Sequence, residues 1–332
     1  MLTMTGIWMY VWLVIGFVLL IKGADFFVDG SSSIAKIFNV PTVIIGLTIV
    51  AMGTSAPETA VSISAALQGA NEIAVSNVVG SNFFNLLVVV GICAIIQPIN
   101  ITRGLIKRDY PYSIAATILL LIFLITGYVM TGSPAVTRIN GIIMLIVFAA
   151  YLLVLVRTTL IEIAVGEKVE IEEVKSRSLP VSILLIAIGL AGIILGGDLV
   201  VKSATKIAAE FGMSNTLIGL TIVAMGTSLP ELVTSIVAAG KGEADLALGN
   251  VIGSNIFNIL LVLGISSSVH AISVQFDSVI DTVLLVIVNF IVLAIVLKKK
   301  SSIGRGTGIL MVVMYAVYTA YIIMRNYGVL PF

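Results

Sequence analysis

IGLTIVAMGTSAPE at residues 45–58 returns, with one substitution, as IGLTIVAMGTSLPE at residues 218–231. The two copies lie 173 residues apart, and the same shift carries Asp25 to Asp198, Asn77 to Asn250, Gly80-Ser81-Asn82 to Gly253-Ser254-Asn255, and Asn85 to Asn258. Self-similarity at one fixed offset across most of a chain marks a duplicated structural unit. Each copy ends on a glutamate, Glu58 or Glu231, in an apolar stretch with no Lys or Arg within a helical turn. A bare carboxylate in such a stretch is expensive unless it serves a function.

The surroundings are those of a membrane protein. Of 332 residues, 59% are hydrophobic and 11% charged, with a mean hydropathy of +1.18, whereas soluble domains carry about 25% charged residues. Apolar runs long enough to cross a bilayer recur along the chain and leave no room for a soluble catalytic domain, so an enzyme is not expected. A net charge of +1 gives no reason to expect a nucleic-acid partner; the partner implied is the lipid bilayer. The single cysteine, Cys93, lies in an apolar run and reads as a core residue. The first apolar run lacks a basic leader and a small-residue cleavage site, so it reads as a retained helix.

Hydropathy and Pro/Gly punctuation predict ten transmembrane helices centred near residues 15, 55, 85, 120, 147, 190, 227, 256, 287 and 315. Continuous apolar runs without alternation make the fold class all-α. The one sizeable polar interval, 162–178, is a linker between a first five-helix repeat, 1–161, and a second, 179–332. Five is odd, so the second repeat enters the membrane from the opposite side, which makes the repeats inverted. With the N-terminus outside, 13 of the 18 basic residues fall in inside loops, Arg103, Lys107, Arg108 and the run Lys298-Lys299-Lys300 among them. The positive-inside rule then puts both termini outside and the linker in the cytoplasm of a multi-pass cell-membrane protein. The acidic residues of the linker alternate with bases and read as a solvated face.

Chemistry concentrates in the signature helices. Pro57 and Pro230 withhold a backbone donor from the carbonyls of Gly53 and Gly226, four residues earlier. These helices should be broken at the membrane midplane, where free backbone oxygens are tolerated if they line a cavity or bind an ion. In a helical approximation Thr54 shares a face with Glu58, and Thr227 with Glu231. In the next helix of each half, Asn77, Ser81 and Asn85, and likewise Asn250, Ser254 and Asn258, are spaced by four and fall on one face, with Gly80 and Gly253 beside them for close helix contact. Asn82 and Asn255 lie off that face and read as contacts between helices. Asp25 and Asp198 lie near span ends beside Lys22 and Lys202 and read as paired with them or hydrated at the interface. The donors are all oxygen, as hard cations such as sodium and calcium prefer. The only histidine, His270, falls near a loop, so a zinc or copper site is disfavoured.

These residues resemble the sodium/calcium exchanger family of the cation/calcium antiporter superfamily. The paired GTSAPE and GTSLPE motifs and the two GSN motifs carry the resemblance, which covers nearly the whole chain. It implies a secondary antiporter of prokaryotic type that exchanges sodium for calcium by alternating access, with transported ions and no cofactor. It further implies four clustered cation sites: Glu58 and Glu231 shared between calcium and flanking sodium sites, with Thr54 and Thr227 contributing. Ala51 and Ala224 would give backbone carbonyls, and Ser55, Ser81, Ser228 and Ser254 would complete the sodium sites. Some members carry an aspartate at the position of Asn258; here Asn85 and Asn258 are both asparagine. Retention of Thr-Ser in both signatures points to sodium coupling rather than the proton-coupled branch. The alternatives are a proton/calcium exchanger, a potassium-dependent sodium/calcium exchanger and, further off, a calcium channel. A channel needs a symmetry axis along the membrane normal, which an inverted duplication does not give.

Overall fold

The computed structural model describes residues 6–68, 71–165, 177–212, 224–299 and 302–327. Among these, eight helices are long and apolar enough to cross a membrane, and one further helix pair passes together but is bent by 50°. The helices are α1 (Ile7–Ile37), the bent pair assembled from α2 (Thr42–Ile45), α3 (Ala51–Thr54) and α4 (Ala56–Leu67), then α5 (Asn71–Phe83) continuing into α6 (Val90–Ile96), α7 (Tyr110–Thr131) and α8 (Arg138–Val165). The second half runs through α9 (Leu179–Glu210), α10 (Ala224–Gly226), α11 (Leu229–Gly240), α12 (Ala244–Ile256) continuing into α13 (Gly264–Val269), α14 (Phe276–Lys298) and α15 (Arg305–Asn326). Nine of the ten expected spans are therefore in place. The remaining one, centred near residue 227, is represented by α10 and the short apolar α11, and residues 218–223 of the second signature lie outside the described residues.

Two departures from regular α-helix were not expected. Wide, π-helical turns interrupt the helices at Gly46–Val50, Phe84–Val89, Leu105–Asp109 and Phe257–Leu263, and such turns leave backbone groups out of step with the α ladder. Those at Phe84–Val89 and Phe257–Leu263 contain Asn85 and Asn258. Short antiparallel bridges join Ile99–Asn100 to Ser302–Ile303 and Ala135–Val136 to Ile272–Ser273, so they tie the two halves together at helix ends.

The exterior is apolar and the interior partly polar, the reverse of a soluble domain. Val14, Val129, Met130 and Leu153 are exposed, whereas Glu58, Glu231, Asn85, Asn258, Ser55 and Ser228 are buried. At 31 and 32 residues, α1 and α9 are each about 47 Å long, well beyond the ~30 Å hydrocarbon core, so both must tilt. They pack against one another antiparallel. A Cβ on Gly23 would lie 2.8 Å from the Gly189 carbonyl oxygen, and one on Gly16 3.0 Å from that of Gly196. This glycine seam lets the two backbones touch, as small residues do between membrane helices. Gly16 and Gly189 are equivalent under the 173-residue shift, as are Gly23 and Gly196, so matching helices cross in opposite directions.

Candidate functional site

The bent pair breaks where the sequence withholds a donor. α3 ends at Thr54, Ser55 adopts φ −80° and ψ 10°, and α4 restarts at Ala56 with Pro57 in its first turn. The second copy does the same, with Ser228 at φ −91° and ψ 7° and Pro230 in the first turn of α11. Proline suits the first turn of a new half-helix, whereas in one continuous helix it would leave the Gly53 or Gly226 carbonyl without its donor. Glu58 and Glu231 therefore each sit in the first turn of a half-helix, at the end where the helix dipole favours negative charge.

Each glutamate is held by the other half of the molecule. Ser228 donates to Glu58 Oε1 at 2.9 Å, and Ser55 donates to Glu231 Oε1 at 2.8 Å. Ser228 also meets Ser81 Oγ at 3.1 Å, and Ser254 reaches Glu231 Oε1 at 3.4 Å. Thr54 shares its hydroxyl hydrogen between the Val50 carbonyl at 3.1 Å and Asn250 Oδ1 at 3.0 Å, and Thr227 faces Asn77 Oδ1 at 3.4 Å. The expected face shared by Thr54 and Glu58 does not form, because the helix bends between them. Thr54 instead approaches Glu231, and Thr227 approaches Glu58.

The asparagines behind the glutamates clamp the broken helices. Asn77 donates to Ser62 Oγ at 3.0 Å and to the Glu58 carbonyl at 3.4 Å; Asn250 donates to Ser235 Oγ at 2.9 Å and to the Glu231 carbonyl at 3.5 Å. Asn82 and Asn255 cross between halves, each donating to the other's backbone carbonyl, at 3.2 and 3.5 Å. Their side-chain oxygens in turn accept from Asn258 and Asn85, at 3.1 and 3.3 Å. Most of these contacts have a mate under the 173-residue shift, and in the mated contacts between halves donor and acceptor exchange halves. Such mutual exchange is the signature of a two-fold relation, familiar from self-complementary dimer interfaces.

Four buried oxygens at the centre accept no hydrogen bond: Glu58 Oε2, Glu231 Oε2, Asn85 Oδ1 and Asn258 Oδ1. They too form two equivalent pairs. An unpaired buried acceptor is costly, and carboxylate and amide oxygens left without a donor are ligands that suit a hard metal ion. Among the described residues no group of three or more His, Cys, Asp or Glu is arranged to hold a metal ion, so the donor set here is two carboxylates plus neutral oxygens. The Ala51 carbonyl already accepts from the Ser55 N–H at 3.0 Å and lies 3.4 Å from the Thr54 hydroxyl. Ala224 opens α10, the short helical segment before the second break.

Other expectations divide. Gly253 does provide close contact, since a Cβ there would lie 2.7 Å from the Ala51 Cβ and from the Leu47 carbonyl oxygen. Gly80 does not: nothing lies within 4 Å of the equivalent point, and Gly80 lines a cavity. Asp198 pairs with Lys202 at 2.7 Å as expected, but Asp25 pairs with Lys241 at 2.6 Å rather than with Lys22. That contact joins distant parts of the chain, which local spacing cannot reveal. His270 is exposed at the end of α13, and Cys93 is buried. Ser62 and Ser235 escaped notice although the shift relates them and each lies four residues beyond its glutamate.

Comparison with known proteins gives one family. The profile described as "Sodium/calcium exchanger protein" matches residues 8–157 and 181–324. The chain is 44% identical over 262 residues to the putative antiporter CaxA of Alkalimonas amylolytica, covering 77% of this chain and 79% of that protein. It is 31% identical to the sodium/calcium exchanger MaX1 of Methanosarcina acetivorans, covering 92% and 96%. Among solved structures it resembles the sodium-calcium exchanger NCX_Mj soaked with sodium and calcium, at a TM-score of 0.77 and 34% identity over 95% of this chain and 99% of that one.

Proposed function

The chain belongs to the sodium/calcium exchanger protein family, a family of transporters rather than enzymes, and from that premise we propose that it exchanges sodium for calcium by alternating access. The observation that carries the reading is the set of four unpaired buried oxygens contributed equally by the two halves. Glu58 and Glu231 supply a formal charge of −2, which one calcium ion or two or more sodium ions neutralise. Thr54, Thr227, Ser55, Ser228, Ser81, Ser254, Asn85 and Asn258 supply neutral oxygens, with backbone carbonyls from Ala51 and Ala224. For the Ala51 carbonyl to take part, the Thr54 hydroxyl stays on Val50 or Asn250.

In this reading residues 1–161 and 179–332 are inverted five-helix repeats joined by a cytoplasmic linker, 162–178, with both termini outside the cell membrane. The antiparallel crossing of the equivalent helices α1 and α9 supports the inversion. With both carboxylates uncompensated, the charged site resists passing through the occluded state between the two open ones, because desolvating unpaired charge is expensive. Exchange is obligatory for that reason. The test is counter-flux in vesicles of purified protein with sodium, potassium and pH varied separately. Calcium uptake that follows the sodium gradient alone supports the reading. Uptake driven by a proton gradient, or lost without potassium, replaces it with one of the other antiport modes.

A further inference from the structure

A cavity of about 430 Å³ extends from residues of the site to the first turn of α14 and the last turn of α15. Asn77, Ser81 and Thr227 line it beside the carboxylates, and Asp277, Asp281 and Arg325 line it where α14 begins and α15 ends. These last three are the only charged side chains among its described lining residues. Arg325 binds Asp281 through two nitrogens, at 2.9 and 2.8 Å, and its guanidinium lies 5.2 Å from the centre of the Tyr321 ring. Asp277 is held more loosely, 3.5 Å from Arg325 Nε, and its side chain is 53% exposed against 15% for Asp281. Under the shift the positions of Asp277, Asp281 and Arg325 are held in the first half by Gly104, Arg108 and Leu152.

We infer that Asp277 and Arg325 set the electrostatic potential through which cations reach the site on this face, and thereby the discrimination between divalent and monovalent ions at the entrance. The inference rests on the exchange function proposed above. Two carboxylates and one guanidinium leave the cavity mouth with a formal charge of −1. A fixed charge in a cleft with low-dielectric walls raises the local concentration of counter-ions. The enrichment is exponential in ion charge, so a potential that concentrates sodium by a given factor concentrates calcium by the square of that factor. Arg325 neutralises Asp281 through the two-nitrogen pair, so the uncompensated charge of the mouth resides on Asp277, and Arg325 subtracts from the field of both carboxylates.

The experiment is initial-rate transport in right-side-out and everted membrane vesicles carrying wild-type, D277N, D277E or R325Q protein. Exchange by the wild type tests the proposed function; the variants test the entrance. A unit charge about 10 Å from the ion path, in water, changes the local concentration of a monovalent ion by about twofold. D277N is therefore expected to raise the half-saturating sodium concentration about twofold and the apparent calcium KM about fourfold, on the cavity face only, with the maximal rate unchanged. D277E restores both values, and R325Q shifts both in the opposite direction. The shifts shrink toward one in about 1 M salt, where the screening length is near 3 Å. The inference is overturned if the wild type exchanges but D277N leaves both constants alone, changes them by equal factors, changes them on both faces, or alters only the maximal rate. D277N carries the decision if R325Q fails to fold.

Discussion

At the scale of residues, the account turns on pairs that exchange partners across the molecule. Glu58→Gln and Glu231→Gln should each abolish exchange while the protein still folds, measured as calcium uptake beside a size-exclusion profile; retained transport in either variant would sink the site assignment. Ser55→Ala removes the donor to Glu231, and Ser228→Ala the donor to Glu58. A hydrogen bond to a charged group is worth about 1.5–3 kcal/mol, so each alanine should weaken apparent ion affinity by about tenfold or more. An effect confined to stability would mean that these hydroxyls serve packing alone. The glutamates, threonines and serines were legible from the repeated signature because their types and offset carry the information. Their partnership was not: spacing four apart speaks only for residues on one unbroken helix, and the break at Ser55 turns Thr54 toward the other half.

At the scale of elements, the proline break and the glycine seam do different work. Pro57→Ala restores a donor to the Gly53 carbonyl and should straighten the bent pair, lowering transport by at least an order of magnitude with little loss of melting temperature. A melting temperature that fell as steeply as transport would reassign Pro57 to folding. Gly23→Val places branched carbons where even a Cβ would sit 2.7 Å from the Ile193 backbone nitrogen, whereas Gly80→Ala meets open space. Overpacking of this kind costs typically 1–3 kcal/mol, so thermal unfolding should separate the two variants clearly; equal behaviour would contradict the packing described. Nine of the ten spans could be read from hydropathy because lipid demands long apolar runs. The π-helical turns could not, since they leave no mark on hydropathy: Phe84–Val89 and Phe257–Leu263 lie inside continuous apolar runs.

At the scale of the whole molecule, charge is arranged unevenly about the two-fold relation. Lys241, between α11 and α12, binds Asp25 and Asp29 of α1 at 2.6 and 2.5 Å, and Glu243 beside it accepts from Ser32. Burial raises the Glu243 carboxyl above the ordinary carboxylate range, so the fold prefers its protonated form. That contribution to stability is complete below the unfolded value and is lost as pH rises through the raised one. Glu243→Gln should flatten this part of the stability–pH curve, and an unchanged curve would show that the group does not titrate in that window. Duplication and long apolar runs made the helical architecture readable in outline, while contacts such as Lys241 with Asp25 depend on the packed fold. The central claim, that sodium and calcium share one site made by both halves, is tested most directly by tracer-calcium binding to purified protein titrated with sodium. The account predicts that sodium weakens calcium binding with a dependence steeper than first order while the number of calcium sites at saturation stays constant. Calcium and sodium bound together at full occupancy, or calcium binding indifferent to sodium, would contradict it.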